Sequence, residues 1–115
     1  MAETVLYNKK GCSTCVDALK WLKAHDMNPT VRDFFVDPLS RADLVTLLGE
    51  RSPSELLSTR SPRYKALGLD QRNLTADETL TAIADDPYLM RRPTLAMGNH
   101  LIIGFDKTAY AALIS

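Results

Sequence analysis

The sequence is short of several features, and each shortage excludes a class of protein. No apolar run approaches the roughly 18 residues that a membrane span needs, and no basic stretch followed by an apolar one opens the chain. Lys and Arg number 14 and so do Asp and Glu, which argues against direct binding to nucleic acid. Only two cysteines are present, so a disulfide-rich scaffold is excluded. We therefore expect a cytoplasmic monomer that contacts neither a membrane nor nucleic acid directly.

What the chain does have is the composition of one globular domain. Hydrophobic residues make up 45% and charged residues 24% of 115 residues, which is the usual balance of globular proteins. This length supports one hydrophobic core and is too short for two ordinary domains. We expect a single domain over residues 1–115.

The two ends of the chain carry strand signals together with amphipathic helices. Thr4–Tyr7 and Val31–Val36 are rich in β-prone residues. Between them, Ser13–His25 is predicted to be a helix, with Cys15, Ala18, Leu19 and Leu22 on one face. Such a compact unit is a right-handed crossover between parallel strands. Near the end, a hairpin over 93–103 turns at Gly98-Asn99, and a helix over 106–114 follows, with Tyr110, Leu113 and Ile114 turned inward.

The middle of the chain, at about 38–90, has helix signals only. Helix starts are predicted at Ser40, Ser52, Ser61 and Thr75, each followed by an acidic residue or a proline in the first turn. The pair Asp85-Asp86 is interpreted as a solvated helix end. The predicted order, βαβ, a helical block and ββα, is an α/β fold with an inserted helical block.

The candidate chemistry lies where the first strand leads into the first helix. Free N–H groups and a partial positive charge at a helix start favour the thiolate form of Cys12, and Gly11 allows a partner to approach its sulfur. Cys15 follows one turn later on the apolar face, so it should be more buried and less acidic. The pair therefore divides into an attacking thiolate, Cys12, and a resolving thiol, Cys15.

Two other interpretations of the cysteines stay open. They could be ordinary buried residues, or half of a zinc site, although zinc needs four ligands and only His25 and His100 remain. Arg60, Arg91 and Arg92 are a further marker, because arginine holds oxyanions through paired hydrogen bonds. Each of them could instead be a surface residue or cap a helix end. Pro93 could be a trans proline at the start of an edge strand.

Several segments, in order along nearly the whole chain, make the sequence resemble the arsenate reductase (ArsC) family of thioredoxin-like proteins, which includes the redox-regulator branch Spx. These segments are Val5-Leu6-Tyr7, the Cys12 turn, Pro38–Arg41, Ser58–Ser61, Leu67–Leu69, Leu89–Pro93 and Ile103–Phe105. The resemblance implies a thioredoxin-like fold with a helical insertion and, by analogy, a cis Pro93 beside the redox sulfur.

The resemblance also implies roles for individual residues. In the family's reductases the nucleophile maps to Cys12, and the oxyanion-binding arginines map to Arg60 and Arg92. Glutathione with glutaredoxin, or thioredoxin, serves as the donor, glutathione acting as co-substrate. No metal and no prosthetic group is implied. Our first hypothesis is a thiol oxidoreductase that binds an anionic substrate near Gly11, Arg60, Arg92 and Pro93.

The second hypothesis is a regulator of the Spx type. In that branch, residues at the positions of Cys12 and Cys15 form a switch disulfide, and the protein binds the C-terminal domain of the RNA polymerase α subunit. Asn8, Val16 and Phe105 stand where arsenate reductases usually have a histidine and two arginines, whereas Arg91-Arg92 and Ser58–Ser61 are closer to the regulators.

Overall fold

The computed structural model describes residues 3–114, which contain four strands and five α-helices. The strands are β1 (Thr4–Asn8), β2 (Thr30–Asp33), β3 (Thr94–Met97) and β4 (His100–Ile103). The helices are α1 (Ser13–Ala24), α2 (Arg41–Leu48), α3 (Pro62–Ala66), α4 (Ala76–Asp85) and α5 (Lys107–Ile114). Single 3₁₀ turns cover Pro53–Glu55, Leu69–Gln71 and Pro87–Leu89. None of the helices in the described ranges is long and apolar enough to cross a membrane.

The chain divides into two compact units. The first takes the chain up to Asp37 and again from Arg92, and the second spans Pro38–Arg91. The helical block predicted at about 38–90 falls on the second unit. That residues 1–115 behave as one domain stays a prediction.

The first unit is built on one sheet with the strand order β2-β1-β3-β4. β1 runs parallel to β2 and antiparallel to β3, with Leu6 opposite both Val31 and Leu95. β3 and β4 are antiparallel and joined by Gly98-Asn99. The parallel pair linked through α1 and the terminal hairpin were both predicted, and both are confirmed.

Helices α1 and α5 provide the apolar side chains that cover this sheet. The core of the first unit consists of residues exposed by 1% or less: Leu6, Ala18, Leu22, Leu95 and Tyr110. Leu113 packs at its margin, as expected. The prediction for Ile114 is wrong, because this last residue of α5 lies beyond the core cluster and is exposed.

The predicted second strand extends too far. β2 ends at Asp33, because its carboxylate accepts the N–H of Phe35 (2.9 Å) and its carbonyl accepts the N–H of Val36 (3.1 Å). This side-chain turn overrides the β propensity of the residues that follow. Phe34 is buried as a result, whereas Val36 is exposed.

The helix starts predicted for the second unit are confirmed. Ser40 and Thr75 each form a capping box, with Asp43 and Glu78 respectively. The Ser52 box is present as well, but it opens only a 3₁₀ turn. These caps satisfy N–H groups that a helix start leaves without intrahelical partners.

Asp86 is not the solvated residue that the sequence suggested. It is 8% exposed, and its carboxylate accepts hydrogen bonds from Arg63 Nε (2.8 Å) and from the N–H of Tyr88 (3.0 Å). Asp86 ends α4 and also caps the 3₁₀ turn Pro87–Leu89. A residue shared by two elements is enclosed by both, which explains its burial.

Candidate active site

Cys12 lies at the junction between the β1–α1 loop and helix α1. The loop turns at Gly11, whose φ of +84° is a conformation that glycine adopts without strain. Cys12 is the N-cap of α1, and its Sγ accepts the N–H of Cys15 at 3.3 Å. Its side chain is partly exposed. The first N–H groups of a helix have no acceptor within the helix, and the Cys12 sulfur supplies an acceptor for one of them. It does so at the end of the helix where the backbone dipoles favour a negative charge.

Cys15 has the opposite environment. It is 1% exposed, and burial, followed by the hydrogen bond to Cys12, raises the pKa of Cys15 to about 12. A hydrogen bond from the Lys9 backbone and the charge of Arg92 oppose that rise. The prediction that Cys15 is the more buried of the two thiols is confirmed, and the prediction that it is the less acidic of the two stays a prediction. Both cysteines are free thiols here, so a Cys12–Cys15 disulfide stays a prediction.

Asp33 anchors the loop that carries Cys12. Its carboxylate accepts the N–H of Lys10 at 3.0 Å and the N–H of Phe35 at 2.9 Å. The Lys10 hydrogen bond is the main reason that the pKa of Asp33 lies below its ordinary value, despite partial burial. The end of β2 is thereby tied to the residues just before Cys12.

Two cations lie over the ring of Phe35. Lys9 Nζ is 5.2 Å and Arg92 Cζ is 5.7 Å from the ring centroid, and both distances are within the range of a cation–π contact. The turn after β2 therefore holds two positive charges near the loop of Cys12. Sequence reasoning missed Phe35 and Asp33, because both were assigned to a strand and neither has a motif that marks it.

Arg92 and Pro93 lie beside the end of β1. Thr94 pairs with Tyr7, so the residues before Thr94 continue alongside Asn8 and the loop that leads to Cys12. The Arg92–Pro93 peptide bond is cis, as the fold analogy predicted. Asn8 Oδ1 and Arg92 Nε are both buried and have no hydrogen-bond partner in the described part of the chain, residues 3–114. Buried polar atoms are normally paired, so these two mark a place suited to polar substrate atoms.

Arg60 lies in the second unit. There a bridge between Leu57 and Met90 and the hydrogen bond from Ser58 N–H to the Leu89 carbonyl (2.7 Å) fix the loop before Arg60. The side chains of Arg60 and Arg91 line a polar cavity of about 390 Å³. That Arg60 acts on a substrate at Cys12 stays a prediction.

Residues 3–114 contain no cluster of three or more His, Cys, Asp or Glu side chains placed to hold a metal ion. His25 and His100 are exposed. His25 stacks on Trp21, with ring centroids 3.7 Å apart, and its Nδ1 lies 2.7 Å from the Trp21 carbonyl.

The fold and the thiol site together define a class of protein. A thioredoxin-like α/β protein has a thiol where a loop leads from a strand into a helix, and a proline beside it at the start of a β-hairpin. Cys12 and Pro93 have these positions here. The chain belongs to the ArsC family, whose model matches residues 7–113.

Known relatives and solved structures agree with this assignment. The chain is 31% identical over 105 residues to the global transcriptional regulator Spx of Lactiplantibacillus plantarum, covering 90% of this chain and 80% of that protein. Among solved structures, a protein named YFFB is 25% identical with a TM-score of 0.88, covering 97% of this chain and 99% of its own. A structure titled as a possible arsenate reductase from Streptococcus mutans is 27% identical with a TM-score of 0.82, covering 98% of both chains. These matches confirm the thioredoxin-like α/β fold.

Proposed function

We propose that this protein is a thiol–disulfide oxidoreductase of the ArsC family, with Cys12 as the nucleophile and Cys15 as the resolving thiol. One observation carries the proposal. The partly exposed Sγ of Cys12 accepts a helix N–H, whereas the thiol of Cys15, one turn later, is buried. The two sulfurs therefore differ in access and in hydrogen bonding, and a difference of this kind suits the two steps of thiol exchange.

The reaction follows from that difference. The Cys12 thiolate attacks a disulfide sulfur of the substrate, forms a mixed disulfide and releases the first thiolate. Cys15 loses its proton to solvent and attacks Cys12 Sγ, which breaks the mixed disulfide, releases the second thiolate and leaves a Cys12–Cys15 disulfide. Two electrons pass from the protein dithiol to the substrate. With an arsenate-like oxyanion, the first step forms a bond between Cys12 Sγ and arsenic, and the displaced oxygen takes up protons from solvent and leaves as water. In the second step Cys15 attacks Cys12 Sγ, the sulfur–arsenic bond breaks, and its electron pair reduces As(V) to As(III), which leaves as arsenite.

Substrate charge is matched by the arginines. We assign Arg92, whose buried Nε has no hydrogen-bond partner among residues 3–114, to bind an oxyanion or a glutathione carboxylate. By the family resemblance, Arg60 is a second candidate for binding such an anion. Each such contact contributes roughly 1.5–3 kcal/mol. Gly11 is exposed and leaves room for the substrate beside the sulfur, and we place the substrate against Pro93 on the side of the hairpin. Glutathione with glutaredoxin, or thioredoxin, returns the two electrons, and the proposal needs no bound cofactor.

The test is to incubate reduced protein with arsenate or with oxidised glutathione, each with and without glutathione and glutaredoxin. We expect product to form and the protein mass to fall by two hydrogens as the disulfide closes. Cys15→Ser should stop at the mixed adduct, and Cys12→Ser should not react. No adduct on Cys12 with any of these substrates would contradict the proposal.

The second candidate function is that of a redox-switched transcription regulator. It is favoured by a specific observation, since curated relatives about 31% identical are named as global transcriptional regulators. In that case the same Cys12–Cys15 disulfide alters a binding surface, and the expected partner is the C-terminal domain of the RNA polymerase α subunit. Capture of that domain by only one of the oxidised and reduced forms, without substrate turnover, would favour the regulator.

A further inference from the structure

The side chain of Phe35 is held by the turn that follows β2. Its N–H donates to the Asp33 carboxylate at 2.9 Å, and its ring packs against that of Phe34, with centroids 5.1 Å apart. Phe34 is itself 1% exposed, and its N–H donates to the Asn8 carbonyl at 3.2 Å. The ring of Phe35 is therefore tied to a buried neighbour beside the end of β1, and it is a fixed surface for other side chains.

Two cations from distant segments of the chain meet at this ring. Lys9 Nζ lies 5.2 Å and Arg92 Cζ lies 5.7 Å from the ring centroid. The Lys9 carbonyl also accepts the N–H of Cys12 at 3.1 Å, so the segment that carries one of the cations is in direct contact with the thiol residue. Like charges repel each other, but the negative face of an aromatic ring attracts both of them. The ring therefore gathers positive charge next to the loop of Cys12.

Arg92 differs from the arginines that are fixed by ion pairs. Several arginines among residues 3–114 pair with a carboxylate: Arg32, Arg41, Arg51, Arg63 and Arg72. Arg92 lies over the Phe35 ring instead, and its buried Nε has no hydrogen-bond partner in the same range of residues. A carboxylate takes up the N–H donors of a guanidinium, whereas an aromatic face attracts its charge and leaves the in-plane donors available. The ring therefore holds Arg92 without occupying the groups that an anion needs.

We propose that Phe35 is a positioning residue for the anion site, and that its ring holds the Arg92 guanidinium and Lys9 Nζ in place for the negatively charged group of a substrate at Cys12. The inference rests on the proposed function, which assigns Arg92 to bind an oxyanion or a glutathione carboxylate. Phe35 acts through the two cations. Its loss should therefore lower the preference of Cys12 for a negatively charged reactant over a neutral one of the same size.

The deciding measurement compares two alkylating reagents on Cys12. Iodoacetate is negatively charged, and iodoacetamide has nearly the same size but is neutral. The thiolate attacks both, so the ratio of the two rates does not depend on how much of Cys12 is ionised. The rates are measured by mass spectrometry at pH 7 and low ionic strength in the Cys15→Ser background, in which Cys12 is the single cysteine. We expect Phe35→Leu to lower the ratio of the iodoacetate rate to the iodoacetamide rate at least about threefold, given the usual strength of a cation–π contact.

The matched control is Tyr88→Leu, which removes a ring that lies 5.9 Å from the Arg63 guanidinium in the second unit. This variant loses the same kind of contact and should keep the parent ratio. Phe35→Tyr keeps an aromatic face and should keep the ratio as well. Arg92→Ala should lower the ratio, and adding Phe35→Leu to it should lower the ratio by a smaller factor than in the parent, because both substitutions remove the same interaction.

A variant that keeps the shape of the ring separates the cation–π contact from packing. Trifluorophenylalanine at position 35 fills the same space, but its face attracts cations less strongly, so it should also lower the ratio. This variant carries the test if the melting temperature shows that Phe35→Leu is poorly folded. An unchanged ratio in the folded variant would overturn the inference, and so would equal losses in Phe35→Leu and Phe35→Tyr.

The ratio of alkylation rates does not depend on catalysis. If it falls in Phe35→Leu but the parent protein forms no adduct with arsenate or oxidised glutathione, the proposed function fails and the role of Phe35 stands. If the parent protein does turn over such a substrate, Phe35→Leu should raise KM severalfold with little change in kcat, because binding and not chemistry is weakened. An unchanged KM would leave the proposed function standing and overturn the role of Phe35.

Discussion

Removing the carboxylate of Asp33 tests how the loop before Cys12 is held in place. Asp33→Ala deletes two hydrogen bonds, from Lys10 N–H (3.0 Å) and from Phe35 N–H (2.9 Å). Hydrogen bonds to charged groups contribute roughly 1.5–3 kcal/mol each when buried, and partial exposure lowers that contribution. We expect a loss of about 2 kcal/mol, or about 8 °C in melting temperature for a chain of this size. Alkylation of Cys12 should also slow severalfold as the loop loosens.

The pH dependence of this loss has a definite sign. The pKa of Asp33 is lowered in the folded protein from its ordinary 3.8, so its stabilising contribution is fully present above about pH 4. It is lost as the pH falls through the folded-state pKa. Unfolding by urea should therefore show a constant difference between parent and Asp33→Ala from pH 5 to pH 7, and a smaller difference at pH 3.

Asp37→Ala is the matched control, because this residue lies four positions later in the same turn region. Its side chain is 73% exposed and pairs with Arg32 at 3.1 Å, and exposed ion pairs contribute roughly 0.2–1 kcal/mol. The reasoning is refuted if Asp33→Ala is no less stable than Asp37→Ala, or if the loss grows below pH 4.

Two further substitutions test the arginine site and the second unit. Arg92→Ala should lower kcat/KM for an anionic substrate about 10–100-fold with little change in melting temperature. Arg72→Ala is the surface control, because Arg72 pairs with Glu78, and it should leave kcat/KM unchanged. Equal values of kcat/KM for the two variants would remove Arg92 from the site. Asp86→Ala removes the cap of Pro87–Leu89 and the partner of Arg63. Urea unfolding should therefore show that the free energy of unfolding falls by about 2 kcal/mol. A fall of less than about 0.5 kcal/mol would contradict the buried role of that carboxylate.

Much of the fold could be predicted because the sequence encodes it locally. The capping boxes at Ser40 and Thr75 and the turn at Gly98-Asn99 each need only neighbouring residues, and each is present. The crossover from β1 to β2 follows from strand order and handedness, which hold for nearly all such units.

The errors came from side-chain hydrogen bonds that strand and helix propensities do not include. The end of β2 was missed because the Asp33 carboxylate, and not β propensity, decides where the strand stops. The burial of Asp86 was missed because it depends on Arg63, 23 residues away. The Asp33 contact is a local side-chain turn that competes with β propensity, whereas the Arg63 contact has no signal in the local pattern.

The candidate site was predicted only in part, because only some of its features are encoded by neighbouring residues. The contrast between Cys12 and Cys15 follows from helix position, and the structure shows it. The cations over Phe35 depend on packing between distant segments, because Lys9 and Arg92 are both far from Phe35 in the sequence. The spacing of these residues in the sequence does not predict such contacts.

The central claim is that two neighbouring sulfurs have different reactivity because one caps a helix and the other is buried. The most direct test treats the reduced protein with a limiting amount of iodoacetamide at pH 7 and counts the label on each cysteine by peptide mass spectrometry. A thiol with a pKa of about 12 is ionised in roughly one molecule in 10⁵ at that pH. We predict that Cys12 carries the label at least about a hundredfold faster than Cys15. Equal labelling of the two, or faster labelling of Cys15, would contradict the account.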